Sequence, residues 1–259
     1  MSKAPFLTTA AVLLKRIDFG DDDLILTYFT HARGKLSVIA KSARKSRKRF
    51  CGMLDLFSES NVVCTYGRGP LPVLQEASLL HPFSDIRSSF MKTAYVSYLA
   101  EILYHWMEPE AAQIQVFDLL HQVLDRIDRN WMPDELLSIV FQIRLMHISG
   151  LSPLLDRCCR CHVDMDALKE CRVGVNLVRG GVLCAACSRE NSPELYLSKG
   201  DIKLLQWLGG GDWNKIARIR FSPEFIRDAL HFLEVFVPYH LGKEPRSLAV
   251  LRQFRSERI

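Results

Sequence analysis

Two Cys-x-x-Cys pairs constrain the structure of this chain more than any other feature of its sequence. Cys158 and Cys161 form the first pair, and Cys184 and Cys187 form the second pair after 22 intervening residues. A pair with this spacing can bind one ion from a single tight turn, and two pairs complete a closed tetrahedral site without an open position for catalysis. The pattern therefore predicts one structural Zn²⁺ ion bound by these four cysteines.

The residues around the pairs indicate the kind of module that the ion would hold together. The gap between the pairs slightly exceeds the usual range of about 15 to 20 residues. Residues 180–183, with the sequence Gly-Gly-Val-Leu, are typical of a turn and a short strand that lead into the second pair, as in a zinc ribbon. Cys159, Cys171 and His162 are further potential ligands. The alternatives to a metal site are a redox dithiol and two coincidental pairs of reduced cysteines.

Cysteine content and hydropathy bound where the chain can reside. Eight cysteines among 259 residues are too few for a scaffold built from disulfides, and paired cysteines in a reducing compartment point to metal. The apolar run 4–14 is followed by Lys15 and Arg16 instead of a small-residue cleavage site, which argues against a signal peptide. No stretch of roughly 18 apolar residues occurs. We therefore expect a soluble, cytoplasmic protein that does not contact a membrane.

The first 80 residues contain short apolar runs that are rich in Val, Ile, Leu, Thr and aromatic residues. Turn residues separate the runs, as between the strands of a sheet. Five strands in about 75 residues predict a small barrel, for which an OB-type barrel and an SH3-like barrel are both candidates. The five runs are Ala10–Ile17, Leu24–Thr30, Lys35–Lys41, Leu56–Tyr66 and Leu71–Leu80.

The spacing of apolar residues becomes helical after Ser84. A first stretch predicts three helices, a second helical pattern covers Lys199–Leu208, and a last helix runs to about Leu241. Ser222 is a good N-cap for that last helix, and Pro223 follows it in the favoured first position. The breaks in the first stretch fall at Pro109, Pro133 and Pro153.

The positive charge of the chain is concentrated in the predicted barrel. Residues 1–80 carry 12 Lys and Arg against 7 Asp and Glu, whereas the remaining 22 basic and 22 acidic residues cancel. The densest part of this charge is the basic segment, residues 35–49. No acidic residue occurs between Asp23 and Asp55, so we expect nothing nearby to neutralise it. Such a segment suits sequence-independent contact with phosphates, although a solvated, mobile loop has the same composition. The candidate DNA-binding residues are Arg33, Lys35, Lys41, Arg44, Lys45, Arg47, Lys48, Arg49 and Arg68.

Several other residues of the first 80 are read as structural. Five aromatic residues could stack on the bases of a single strand, but we favour barrel core for each. Cys51 and Cys64 are read as small apolar core residues. Asp21, Asp22 and Asp23 are better explained as a polar turn than as a magnesium site. The five aromatic residues are Tyr28, Phe29, Phe50, Phe57 and Tyr66.

Evidence for an enzyme is thin, because the sequence lacks a phosphate-binding P-loop, a Gly-x-Ser-x-Gly elbow and a His-Glu-x-x-His motif. Two functions other than DNA binding stay open. One is a zinc-ribbon adaptor or transcription-associated interaction module whose basic segment contacts an acidic partner. The other is an enzyme such as a nuclease or an RNA-modifying protein.

The order of these motifs resembles that of the bacterial RecO family of DNA repair and recombination proteins. The similarity covers nearly the whole chain, and its most specific parts are the segment 34–46 and the cysteine ribbon. The other matching segments are 20–27, 66–69, 239–242 and 246–248.

The resemblance implies an α+β multidomain fold and a mediator that is not an enzyme. It places a five-stranded OB-fold barrel at 1–80, an α-helical domain at 81–154 and 192–259, and an inserted zinc ribbon at 155–191. Such a mediator would bind single- and double-stranded DNA and anneal complementary strands. Its expected partners are RecR and, in many bacteria, RecF, with which it would load the RecA recombinase onto strands coated by single-stranded-DNA-binding protein.

Overall fold

The structure is a computed structural model that describes residues 6–46, 50, 52–191 and 193–256. The chain divides into two compact units, Met1–Arg129 and Asn130–Ile259. The single boundary between the two units lies after Arg129 and does not test the bounds of the three domains expected from the sequence, so these stay a prediction. Within the described residues, no helix is both long and apolar enough to cross a membrane.

The first unit begins with a closed barrel of five strands. In the sheet, β1 pairs antiparallel with both β2 and β4, and β3 meets β5 in a short parallel contact, which gives the order β1-β2-β3-β5-β4. This is the Greek-key arrangement of an OB-type barrel, so the OB prediction is confirmed. The strands are β1 Phe6–Phe19, β2 Asp23–Thr30, β3 Gly34–Ala40, β4 Glu59–Thr65 and β5 Val73–His81.

The alternation of side chains along the strands explains how the barrel closes. Leu24, Leu26 and Tyr28 of β2 point into the core, where Leu36 and Val38 of β3 meet them, and all are buried. This period of two is what a strand with one core-facing side requires. The intervening residues of both strands therefore face away from the barrel core, and one of them, Phe29, is buried outside the barrel, with its ring 6.2 Å from that of Phe117.

Most of the residues read as core from the sequence lie in the interior. Tyr28, Phe29, Phe50 and Phe57 are buried, as is Cys64, whose pKa is raised to about 11 by burial. Tyr66 is only half-buried, and its hydroxyl group donates to Glu110 at 3.4 Å. Cys51 lies outside the described residues.

Three helices complete the first unit: α1 Ser84–Ser88, α2 Phe90–Trp106 and α3 Ile114–Asp128. In α3 the buried side chains recur at helical spacing and form one apolar face. The buried ammonium group of Lys92 in α2 donates to the carbonyl oxygen of Asp128 at 3.0 Å, which fixes the end of α3.

The second unit consists of helices and one small sheet. Helix α4 packs against α6 and α8, and the three strands of the sheet have the order β7-β6-β8. The helix predicted from Ser222 to about Leu241 is confirmed, because Ser222 accepts a hydrogen bond from the backbone N–H of Phe225 and Pro223 occupies the first turn. It is not the last helix, since a further helix, which the sequence pattern did not predict, covers Arg246–Ser256. The elements are α4 Asp134–Ile148, β6 Arg172–Asn176, β7 Gly181–Leu183, α5 Ala185–Asn191, β8 Leu195–Ser198, α6 Lys199–Gly210, α7 Trp213–Ile216, α8 Pro223–Leu241 and α9 Arg246–Ser256.

Candidate metal centre and nucleic-acid surface

The four cysteines of the two pairs meet at one point of the second unit. The Sγ atoms of Cys158, Cys161, Cys184 and Cys187 all lie within 4.8 Å of one another. The Sγ atoms of Cys161 and Cys184 are 3.7 Å apart. A tetrahedral ion with Zn–S bonds of about 2.3 Å separates its sulfur ligands by about 3.8 Å. The donor set and its spacing are therefore compatible with a zinc ion.

Backbone N–H groups point at two of these sulfur atoms. The N–H of Cys184 donates to Sγ of Cys158 at 3.4 Å, and the N–H of Cys187 donates to Sγ of Cys184 at 3.5 Å. Burial raises the pKa of Cys158, but hydrogen bonds from the backbone outweigh it and lower that pKa to about 6. Burial prevails in the second pair, where it raises the pKa of Cys184 and of Cys187. A metal ion binds the thiolate, so the environment favours the binding form at Cys158, whereas Cys184 and Cys187 would lose their protons on metal binding.

Tight backbone contacts hold the first cysteine pair beside strand β7. The N–H of Val182 donates to the carbonyl oxygen of Leu154 at 3.0 Å, and the N–H of Cys159 donates to the carbonyl oxygen of Val182 at 2.8 Å. A Cβ atom on Gly181 would come within 2.8 Å of the carbonyl oxygen of Leu154. Glycine at this position is therefore required for the two segments to meet.

The additional potential ligands do not join the cluster. The group of cysteine sulfur atoms found within the described residues contains the four members of the pairs alone. Cys171 is exposed, and Cys159 uses its backbone to hold the pair in place. His162 has a positive φ of 61° and closes the first turn by donating its N–H to the carbonyl oxygen of Cys158 at 3.0 Å.

The candidate DNA-binding residues that the structure describes occupy loops and strand ends of the barrel. Arg33 lies in the β2–β3 turn, Lys41, Arg44 and Lys45 follow β3, and Arg68 lies in the β4–β5 loop; all five are exposed. The remaining basic residues of the segment, Arg47, Lys48 and Arg49, lie outside the described residues.

Lys35 differs from the other candidates because it has an internal partner. Its Nζ donates to the carbonyl oxygen of Tyr104 at 2.7 Å and lies 5.2 Å from the centre of the Tyr104 ring. Lys15 approaches the same ring, with its Nζ 4.6 Å from the centre. Lys35 therefore stabilises the contact between β3 and α2, and its contact with phosphate stays a prediction.

The expectation that nothing neutralises the basic segment was wrong. Asp22 Oδ2 lies 2.7 Å from Nζ of Lys45, and Asp18 Oδ2 lies 3.9 Å from Nη1 of Arg44. Asp23 Oδ1 also accepts from the backbone N–H of Ser42 at 2.7 Å. Barrel closure brings the acidic β1–β2 turn against the end of β3, which the spacing of charges along the chain does not reveal.

An apolar strip on the outer face of the barrel was missed from the sequence. The pairing register aligns Ile17 with Ile25 and Ile25 with Ile39, and Phe19 is 50% exposed at the end of β1. In OB-type barrels this face and the β1–β2 and β4–β5 loops bind oligonucleotides. Here those loops are the acidic turn and the loop of Arg68. The alternation in β2 and β3 was the signal that could have located the strip.

Comparisons with known proteins match nearly the whole length of this chain. The family described as Recombination protein O N terminal matches residues 1–83, and the one described as Recombination protein O C terminal matches residues 87–249. The DNA repair protein RecO of Desulfatibacillum aliphaticivorans is 41% identical over 253 residues, which cover 97% of this chain and 98% of that protein. The DNA repair protein RecO of Desulfosudis oleivorans is 35% identical over 257 residues, covering 97% and 99%.

Proposed function

This chain belongs to the RecO family of DNA repair and recombination proteins, and from that premise we propose that it acts as a recombination mediator and not as an enzyme. It binds single- and double-stranded DNA and anneals complementary strands. With RecR, and with RecF where present, it promotes loading of the RecA recombinase onto strands coated by single-stranded-DNA-binding protein. The work takes place in the cytoplasm, at the nucleoid.

The observation that carries this proposal is the basic segment beside the OB-type barrel. The exposed side chains of Lys41, Arg44, Lys45 and Arg68 border the barrel face on which such folds bind oligonucleotides. Each phosphate that they neutralise releases counterions, so affinity does not depend on base sequence. This mode suits a protein that must act on any damaged strand.

The apolar strip supplies a second kind of contact. Phe19 exposes half of its surface next to the basic segment, and stacking of a base on an aromatic ring contributes about 1–3 kcal/mol. The neighbouring Ile17 and Ile25 provide apolar surface for the same bound DNA strand. A single strand with unpaired bases can use these contacts, whereas a duplex is held through its phosphates.

The four-cysteine cluster has a structural role in this proposal. It binds one Zn²⁺ ion, which stabilises the small β6–β8 sheet and the segments that precede it. Four thiolates leave no open position on the ion for a water molecule or a substrate.

Salt-dependent DNA binding tests the phosphate contacts. Arg44, Lys45, Arg47 and Lys48 are replaced together by Ala, and the dissociation constant for a labelled single strand is measured at several salt concentrations. Each lost phosphate contact reduces the log–log salt slope by about 0.7. We expect a weaker affinity and a shallower slope, and unchanged values of both would refute the proposal.

A matched variant separates position from net charge. Four exposed basic residues of the second unit, Lys215, Arg218, Arg220 and Arg227, are replaced by Ala in the control. Both variants lose the same formal charge. If the control weakened binding as much as the barrel variant, overall charge and not the basic segment would be responsible.

An annealing assay tests the mediator function itself. Complementary strands coated by their binding protein are mixed with the intact chain, with and without RecR, and duplex formation is followed by fluorescence. We expect the chain to accelerate annealing and RecR to alter the rate. An adaptor that only contacts an acidic protein would not accelerate annealing. If the chain does not accelerate annealing, the adaptor is the better explanation.

A further inference from the structure

Three side chains of the first unit form a second cluster of metal-binding groups. Glu59 of β4, His81 of β5 and His121 of α3 each offer one ligand atom, and these atoms all lie within 4.8 Å of one another. The three residues are far apart in the chain, so folding alone brings them together. Neither the cysteine site nor DNA binding accounts for this arrangement.

An irregularity in the sheet places His81 in the cluster. Ser60 pairs with Leu79, and regular antiparallel pairing would then set Glu59 opposite Leu80. Instead the register shifts by one residue, and Glu59 pairs with His81. Such bulges redirect side chains and are common beside functional sites. Without the extra residue, the imidazole of His81 would not lie across from the carboxylate of Glu59.

The hydrogen bond between Glu59 and His121 accounts for only two members of the cluster. Nδ1 of His121 lies 2.6 Å from Oε2 of Glu59, which is 5% exposed. That contact is enough to satisfy a buried carboxylate. Among the described residues, the imidazole of His81 makes ring contacts, with its centre 5.1 Å from that of the His121 ring and 5.6 Å from that of the Phe83 ring. A shared ion would give its ring nitrogen a role.

The surroundings of the cluster favour a cation. Asp118 and Asp125 stand one turn before and one turn after His121 on α3, and both contribute negative potential at its ring. His81 is exposed, so an ion at this point would reach solvent. Zn²⁺ sites with two histidines and one glutamate keep a fourth position for water.

We propose that Glu59, His81 and His121 bind one divalent transition-metal ion, with Zn²⁺ as the favoured ion, in a site that is open to solvent. Imidazole and carboxylate ligands suit Zn²⁺, whereas the all-sulfur cluster is closed. On binding, the proton between Nδ1 of His121 and Oε2 of Glu59 is released to solvent and their short contact opens, since these two atoms become ligands of the same ion. The chain thus holds two metal ions of different chemistry.

Cobalt spectroscopy distinguishes the two sites. Purified full-length chain with zinc in its cysteine site is titrated with Co²⁺, and its visible absorption is recorded. Cobalt bound by nitrogen and oxygen shows weak visible bands without sulfur charge transfer, whereas cobalt bound by cysteine shows strong near-ultraviolet charge transfer. We expect the first signature, saturating at one Co²⁺ per chain, and a rise in the thermal unfolding midpoint on binding.

The decisive variant is His81→Phe, because phenylalanine keeps the ring contacts but has no nitrogen ligand. Loss of a residue that only orients a ligand already weakens metal binding by about 10–100-fold, so loss of a ligand itself should cost at least about 100-fold. The control is His31→Phe, since His31 is a half-buried histidine that lies edge-on to Phe117 at 5.4 Å. The control should bind Co²⁺ normally.

Three results would overturn the proposal. The first is the absence of the nitrogen and oxygen signature in the intact chain. The second is unchanged Co²⁺ affinity in His81→Phe, and the third is equal loss in His31→Phe. Glu59→Gln provides a second variant that keeps side-chain volume, and it should also lose the signature while circular dichroism reports the fold. DNA-binding measurements on the same samples are separate, so this proposal can fail while the proposed function stands.

Discussion

Glu234 provides a sharp test of how burial determines the strength of an ion pair in the second unit. This carboxylate lies on α8 and is 3% exposed, and its Oε2 atom accepts from Nη2 of Arg255 at 2.6 Å and from Nε of Arg252 at 3.3 Å. Both arginines belong to α9. We expect Glu234→Gln to lower the free energy of unfolding by about 2–3 kcal/mol, because the two guanidinium groups lose their buried charge partner.

The magnitude follows from the exposure of the partners. Removing one member of a fully buried ion pair costs about 3–5 kcal/mol. The side chains of Arg252 and Arg255 are 39% and 21% exposed, so water recovers part of the loss. Oε1 of Glu234 is buried without a hydrogen-bond partner among the described residues. An amide nitrogen at that position gains no acceptor there, so Gln offers no compensation.

A second carboxylate on the same arginine provides the matched control. Glu244 Oε1 lies 2.9 Å from Nη1 of Arg252, but its side chain is 63% exposed. Exposed pairs contribute about 0–1 kcal/mol, so Glu244→Gln should cost less than about 0.5 kcal/mol. Urea unfolding measures the free energy of unfolding of both variants, and an unchanged m-value shows that the variants differ from the intact chain in stability alone. Equal losses, or a loss below about 0.5 kcal/mol in Glu234→Gln, would refute the reasoning.

Three further predictions concern the barrel turns and the metal cluster. Gly34→Ala and Gly20→Ala both place alanine at positive φ, but only at Gly34 would the Cβ atom lie 1.9 Å from a backbone carbonyl oxygen. Gly34→Ala should therefore lower the free energy of unfolding, measured with urea, by about 1–3 kcal/mol more than Gly20→Ala does. Cys184→Ser should abolish zinc binding, and it should also abolish hydrogen-exchange protection in residues 154–198, because metal binding contributes about 10–16 kcal/mol to folding in zinc-finger peptides. The control Cys171→Ser should retain both zinc binding and protection. Asp22→Asn removes an ion-pair partner of the basic segment, so the affinity for single-stranded DNA should rise by up to about fivefold in fluorescence anisotropy. A lower affinity would contradict the electrostatic argument.

Features that depend on neighbouring residues were predictable from the sequence. The short runs rich in Val, Ile, Leu, Thr and aromatic residues, separated by turn residues, predicted the barrel strands, and Ser222 with Pro223 located the start of α8. The spacing of the cysteine pairs predicted the cluster, because each pair is formed within one turn. Each of these signals depends on residues that are close in the chain, so it does not depend on how distant segments pack.

Features that depend on barrel closure were not predictable. The contact of Asp22 with Lys45 joins residues that are 23 positions apart, and it arises because the β1–β2 turn lies beside the end of β3. The approach of His81 to Glu59 depends on a one-residue shift in register. Hydrophobic patterning defines which residues of a strand face the core, but it does not locate a bulge.

On the proposed function, the acidic turn adjusts DNA binding without preventing it. A basic segment alone would bind more tightly with every added charge, since each neutralised phosphate releases counterions. The half-buried Asp22 pairs with the exposed Lys45, and the exposed Asp18 pairs with the exposed Arg44; such surface ion pairs contribute at most about 1 kcal/mol. A phosphate can therefore displace each aspartate at small cost, and the aspartate can return when the strand leaves. Contacts that reopen readily allow one strand to be exchanged for another, which annealing requires.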